Sequence, residues 1–172
     1  MRSRPLIWCL GVLLATQVAW AAPASAHQPV ILGPSDATPS SGPLLPDGTV
    51  SYAVRADVAK GQERGFRFGL KRGDRLAVQL LIFDQPPANA LRANALPRVT
   101  LVDPRGRRSV LAITERTEFY EPYSKQAYLF LSRVDRAAVP GTYRVIVQGR
   151  SEKPVDAIVA IGYREVPGQV LE

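Results

Sequence analysis

The chain has 172 residues, with 22 Lys and Arg against 15 Asp and Glu, and a formal net charge of +7. Arginine and lysine are scattered from Arg55 to Arg164 among acidic residues. A nucleic-acid-binding protein would concentrate this charge in a stripe with interleaved aromatic residues, so we expect no nucleic-acid partner. The charge predicts a mildly cationic surface or loose attraction to an anionic envelope surface.

The first 26 residues have the three parts of a signal peptide. Arg2 and Arg4 make a positive start, residues 6–18 form an uncharged and mostly apolar run, and Ala24-Ser25-Ala26 supplies small residues for cleavage. The run is shorter than the roughly 20 apolar residues that a spanning helix needs. We therefore expect no transmembrane span, and a periplasmic or extracellular location after cleavage near Ala26.

Cleavage at that point changes what the chain contains. It leaves 146 of the 172 residues, begins the mature chain at His27, and removes two arginines but no acidic residue, for a charge of about +5. The only cysteine, Cys9, leaves with the segment, which excludes disulfides, a thiolate nucleophile and Cys-ligated metal sites. A weaker cleavage site lies at residues 19–21.

Composition divides the mature chain into three parts. Residues 27–48 are rich in Pro, Gly, Ser and Thr, and predict an extended arm or linker that contributes no core element but can lie along the domain. Residues 49–166 carry the regular structure, and residues 167–172 form a Pro/Gly-containing tail.

Alternation of apolar and polar residues dominates the middle part, and turn signals such as Asp103-Pro104-Arg105-Gly106 separate the alternating runs. No run carries a convincing helical stripe, and the best candidate, residues 89–96, has few apolar positions. Short strands at this spacing predict an all-β fold, a single antiparallel β-sandwich of jelly-roll type with about eight strands. The predicted strands are 49–56, 66–70, 76–83, 98–102, 109–113, 127–134, 142–148 and 155–163.

Three motifs in this part resemble the bacterial pre-peptidase C-terminal domain over residues 50–163. They are Phe66-x-Phe68-x-Leu70-x-x-Gly73-Asp74-x-Leu76-x-Val78-x-Leu80, Leu101-x-Asp103-Pro104-x-Gly106 and Gly141-Thr142-Tyr143-x-Val145-x-Val147. The resemblance implies a compact jelly-roll sandwich of the kind appended to exported enzymes. Some members bind calcium and many carry an acidic pair before the first of these strands. This chain has only Glu63 there, which weakens calcium binding by analogy.

His27 and a glutamate-rich segment are the candidate metal sites. An N-terminal histidine can chelate copper, but a histidine brace needs a second histidine and the chain has one. Glu118 and Glu121, with Glu115 nearby, could hold calcium or act as a catalytic carboxylate pair if they faced one cleft. The segment is predicted to be a solvated connection between strands, so no metal, cofactor or catalytic residue is expected.

Phe119, Tyr120 and Tyr123 lie in the same segment and allow two interpretations. Aromatic side chains of a secreted sandwich can stack on sugar rings, or they can cap the open end of the core. The sequence favours the capping interpretation.

Without a catalytic set, the chain is predicted to be a non-catalytic binding or accessory module of the bacterial cell envelope, not an enzyme. Its partner would be an envelope protein or a polysaccharide. The alternatives are an assembly protein that uses the N-terminal arm and a copper-handling protein that uses His27.

Overall fold

The computed structural model describes residues 27–122 and 124–172, so the predicted signal peptide lies outside the described residues. The described chain is all-β, and its one helical element is a three-residue 3-10 turn at Ala88–Ala90. No helix among these residues is both long and apolar enough to span a membrane. The strands are β1 (Gln28–Leu32), β2 (Leu44–Leu45), β3 (Tyr52–Val58), β4 (Glu63–Leu70), β5 (Arg75–Phe83), β6 (Arg98–Val102), β7 (Arg108–Val110), β8 (Thr117–Glu121), β9 (Gln126–Ala137), β10 (Gly141–Gln148) and β11 (Val155–Ile161).

The strands form two sheets. One has six strands in the order β1-β3-β11-β5-β9-β8, and the other has five in the order β2-β4-β10-β6-β7. All eight predicted strands are present, with shifted ends, which confirms the all-β class. Two corrections are needed: residues 27–122 and 124–172 form eleven strands, and the sheets are mixed because β1 pairs with β3, and β2 with β4, in parallel.

Alternate side chains of both sheets meet in one core. Tyr52, Val54, Ala56 and Val58 on β3 point inward and are buried, while the residues between them face outward. Packed apolar area of this kind is the main stabilising contribution in a domain without disulfides. The neighbouring strands β4 and β10 of the five-stranded sheet contribute large aromatic rings to this core. Phe68 stacks on its cross-strand partner Tyr143 with ring centroids 5.1 Å apart.

The proline-rich arm contributes to this core, so the prediction that it holds no core element is wrong. Val30, Leu32 and Leu45 are buried in the core. A proline-rich segment can supply β1 and β2 because both strands lie at sheet edges, where proline costs no ladder hydrogen bond. The chain between them crosses close to β4. A Cβ on Gly65 would overlap the backbone of Thr38 and Pro39, so this approach requires glycine.

The C-terminal tail is also attached to the domain. Leu44 and Leu171 exchange two backbone hydrogen bonds of 2.7 and 2.9 Å. The Gln28 side chain accepts from the Gly168 N–H at 2.9 Å, and the buried Tyr52 hydroxyl donates to the Gln169 carbonyl at 3.0 Å. Both ends of the described chain are therefore held against the sandwich.

Candidate functional site

The outer face of the six-stranded sheet, which points away from the shared core, carries a cleft. Two adjoining cavities of about 350 Å³ and about 310 Å³ make it up, and both are lined by His27, Gln79 and Ala160. Their volumes are at the lower end of the range of small-molecule sites. The larger cavity is mainly apolar, and the smaller one, which we call the polar half, has about equal polar and apolar lining.

The floor of the apolar half is a second, smaller apolar cluster. Leu81, Ile158 and Ala160 are only 5 to 6% exposed although they lie on the outer face. They belong to β5 and β11, the two strands at the middle of the sheet, whose sequences are apolar at nearly every position. These strands are therefore covered on both faces, one by the core and the other by the walls of the cleft.

Four aromatic side chains from neighbouring strands form the walls. Phe83 and Tyr128 lie opposite each other on β5 and β9 with ring centroids 5.1 Å apart. The ring centroid of Phe119, on the edge strand β8, lies 6.2 Å from that of Tyr128 and 5.6 Å from that of Phe130. These offset ring contacts have the separations that aromatic pairs favour, and they hold the wall in one shape.

A break in strand pairing places Phe130 in this wall. The β5–β9 register shifts between Leu80 and Leu81, so that Phe130 pairs with Leu81 and Ser132 with Leu80. Leu131 is the extra residue, and it is fully buried in the core. A β-bulge of this kind redirects side chains locally, which leaves Phe130 and Tyr128 on the outer face.

Arginines on the outer face are paired with carboxylates and stacked on rings. Arg133 lies 3.9 Å from the centroid of Phe130 and forms a 3.2 Å ion pair with Glu115. Arg55 stacks on Phe83 and forms an ion pair with Asp156, whose hydrogen bond raises the pKa of Arg55.

Arg75 repeats the arrangement in the polar half. Its guanidinium is 4.7 Å from the Tyr163 ring and 3.2 Å from Asp135. Each of the three arginines is thus balanced by a carboxylate, and Glu121 and Glu165 add acidic groups to the lining of the cleft. With polar and aromatic side chains and little excess positive charge, the cleft suits a ligand with apolar ring faces and hydroxyl or amide groups more than a strongly anionic one.

His27 lies where the two halves meet. Burial lowers its pKa, while the carboxylates of Glu165 and Glu121 act in the opposite direction. Within residues 27–122 and 124–172, no three His, Cys, Asp or Glu side chains are grouped so that they could hold a metal ion. His27 therefore lies in the cleft but belongs to no such group in the part of the chain that the structure describes, and a copper site needs several ligands.

Glu118 and Glu121 do not converge on a common site. They belong to a strand, β8, and not to the loop predicted from the sequence. Residues three apart on a strand point to opposite faces, so Glu121 lines the cleft and Glu118 does not. The Glu121 carboxylate accepts a hydrogen bond from the Ser124 N–H at 2.6 Å. The paired-carboxylate hypothesis fails on this geometry.

The predicted core-capping role of the aromatic segment is also wrong. Phe119 is 40% exposed and Tyr120 is 59% exposed, and neither belongs to the main core. They point to opposite faces of β8, and only Phe119 lines the cleft. Tyr123 lies outside the described residues.

Sequence reasoning missed most of the cleft. Phe83, Tyr128 and Phe130 lie in predicted strands, where an aromatic residue ordinarily indicates core packing. The sequence pattern that could have indicated the cleft is the apolar character of both faces of β5 and β11. Strands of this kind are covered on both faces, so the outer face of the sheet should also be covered by side chains.

Fold and site together define a two-sheet β-sandwich with a ligand-sized aromatic cleft on one outer face. In comparisons with known proteins, the sequence matches no protein-family model and no curated protein.

Proposed function

We propose that the protein is an exported, non-catalytic binding module of the bacterial cell envelope, which binds its ligand in the outer cleft of the six-stranded sheet. The single observation that carries the proposal is the wall of four aromatic rings around a preformed cavity of about 350 Å³. Soluble domains ordinarily cover such apolar surface, and a concave aromatic surface is characteristic of ligand sites. Export is supported by the signal-peptide pattern of residues 1–26.

Connectivity supports the finer assignment to a jelly roll similar to the pre-peptidase C-terminal domain. The chain changes sheet at every connection except the hairpins β6–β7 and β8–β9. Repeated crossing between two sheets is how a jelly roll is wound. Two of the motifs that carry the resemblance, around Phe66 and Tyr143, occupy the paired strands β4 and β10.

A polysaccharide fits the cleft better than an acidic peptide does. The arginines on this face are already neutralised by Glu115, Asp135 and Asp156. Sugar rings present a flat C–H face to aromatic side chains and hydroxyl groups to polar ones, and both kinds of side chain line the cleft.

The strand β8 offers a matched pair of variants to test this function. Phe119→Ala removes an aromatic ring from the cleft, and Tyr120→Ala removes one from the opposite face of the same strand. We expect immobilised protein to capture a polysaccharide from envelope extract, Phe119→Ala to lose at least fivefold of it, and Tyr120→Ala to capture as much as wild type. Equal capture by Phe119→Ala, or equal loss by both variants, would contradict binding in the cleft.

The alternative function, an assembly protein that uses its N-terminal arm, needs that arm to be available to a partner. In this structure β1 and β2 pair within the chain's own sheets, and Val30, Leu32 and Leu45 are buried. Releasing the arm would expose this apolar surface, so the structure favours the binding module.

A further inference from the structure

The outer face of the five-stranded sheet carries three arginines that make no ion pair or hydrogen bond with any described residue. Arg98 on β6, Arg108 on β7 and Arg144 on β10 are all exposed, and we call this surface the arginine face. Their strand neighbours Val99, Leu101, Tyr143 and Val145 point into the core, which fixes the arginines on the outside.

Acidic side chains are nearly absent from the same face. The one carboxylate in the outward positions of the described sheet is that of Glu63, which lies at the far end of β4 and accepts a 3.1 Å hydrogen bond from Gln148. Arg67 also points outward, but it donates to the Gly42 carbonyl at 3.0 Å, beneath the arm. The positive charge of the arginine face is therefore unbalanced.

Strand register spreads this charge over an area. Arg144 and Arg108 lie on either side of Val102, two strand spacings or roughly 10 Å apart. Arg98 lies four residues along β6 from Val102, a distance of roughly 13 Å. Guanidinium groups this far apart do not converge on one small anion, and they match a surface that presents many anionic groups.

A row of two apolar residues and one threonine lies among the arginines. Ile146, Thr100 and Val110 are aligned across β10, β6 and β7, and Val110 is 53% exposed at the edge. An exposed valine gains nothing from a soluble polyanion, but it can be buried at the boundary between lipid head groups and acyl chains.

We propose that the arginine face docks on an anionic phospholipid surface, with Arg98, Arg108 and Arg144 binding head-group phosphates and Val110 at the interface. Arginine suits this contact because its planar guanidinium binds phosphate through two parallel hydrogen bonds. The surface lies on the opposite side of the sandwich from the aromatic cleft, so a docked domain keeps its cleft turned away from the lipid. The proposal does not depend on what the cleft binds.

Vesicle co-sedimentation tests the docking surface directly. The purified protein is mixed at low ionic strength with vesicles of phosphatidylglycerol and phosphatidylcholine, and separately with vesicles of phosphatidylcholine alone. We expect binding only to the anionic vesicles. The triple variant R98Q/R108Q/R144Q should bind about a hundredfold more weakly, since each arginine near such a surface contributes roughly a factor of five.

The matched control is R72Q/R92Q/R136Q, which removes the same charge from exposed positions off this face. It should bind within about twofold of wild type. Because all six positions are exposed, thermal melts of both variants should superimpose on wild type. Single R108Q and V110S variants, each with an expected loss of threefold or more, keep the test valid if the triple variant is poorly folded.

Three results would overturn the proposal: equal loss in both triple variants, no binding of wild type to anionic vesicles, or binding to soluble polyphosphate without binding to vesicles. The last result would assign the face to a soluble polyanion.

Discussion

Each outer face of the sandwich carries a group of three arginines, and the neighbours of the two groups differ. On the six-stranded face, each arginine has a carboxylate partner and an aromatic ring beneath it. On the five-stranded face, the three arginines have no carboxylate partner and no stacked aromatic ring among the described residues. The first set is Arg55, Arg75 and Arg133, and the second is Arg98, Arg108 and Arg144.

This difference shows that residue type alone does not determine what a surface can bind. Paired and stacked arginines support a local shape, and here they form the rim of a cleft. Unpaired arginines leave their charge available to a partner. The same contrast separates the apolar residues of the two faces, since Leu81 is covered by cleft walls while Val110 is exposed.

The largest expected effect comes from comparing these two apolar residues. Leu81→Ala should lower the free energy of unfolding by about 2 kcal/mol, because it removes a nearly buried side chain from the floor of the cleft. Val110→Ala should change it by less than about 0.5 kcal/mol. Urea unfolding followed by circular dichroism measures both. Equal effects would mean that the outer floor of the cleft does not contribute to the fold.

Residue pattern predicted the covered strands well and the edges poorly. Strands β3, β4 and β10 alternate because one face meets the core and the other meets solvent, and the sequence carries that period. Strand β8 has the sequence TEFYE and is exposed on nearly every residue, so burial imposes no period on it. Its pairing with β9 supplies the order that its own sequence does not specify.

The parallel strands and the cleft were missed for a related reason. β1 and β2 lie in a proline-rich segment, and they exist because β3 and β4 offer edges to which a short extended chain can add. The cleft depends on which strands are neighbours. β5 lies next to β9 only in the folded sheet, so no local pattern brings Phe83 and Tyr128 together.

A smaller effect is expected from comparing arginines across the two faces. Arg133→Gln should lower the free energy of unfolding by about 1 kcal/mol, because it removes an ion pair with Glu115 and a contact with Phe130 that are both partly exposed to solvent. Arg144→Gln should have no measurable effect. Chemical unfolding at low salt gives both values, and in 1 M salt the Arg133 effect should shrink but not vanish. If Arg144→Gln lowered the free energy of unfolding as much as Arg133→Gln, the arginines of the two faces would not differ in their contribution to stability.

The smallest expected effect is a pH dependence confined to the six-stranded face. His27 is the only histidine of the chain, and burial in the cleft lowers its pKa despite the carboxylates of Glu165 and Glu121. Because the unfolded chain then binds the proton more readily than the folded chain, His27 lowers stability as the pH falls through the unfolded value of about 6.5 and towards the folded one. The full penalty is reached below the folded pKa.

One imidazole signal should therefore titrate in nuclear magnetic resonance spectra, with a midpoint below that of the urea-unfolded protein. His27→Gln should remove the associated change in stability between pH 7 and pH 5. Vesicle binding by the arginine face should hardly change over the same range, because arginine stays protonated. A His27 midpoint at or above the unfolded value would mean that the two carboxylates outweigh burial. In that case protonated His27 would stabilise the fold at low pH through its attraction to the carboxylates of Glu165 and Glu121.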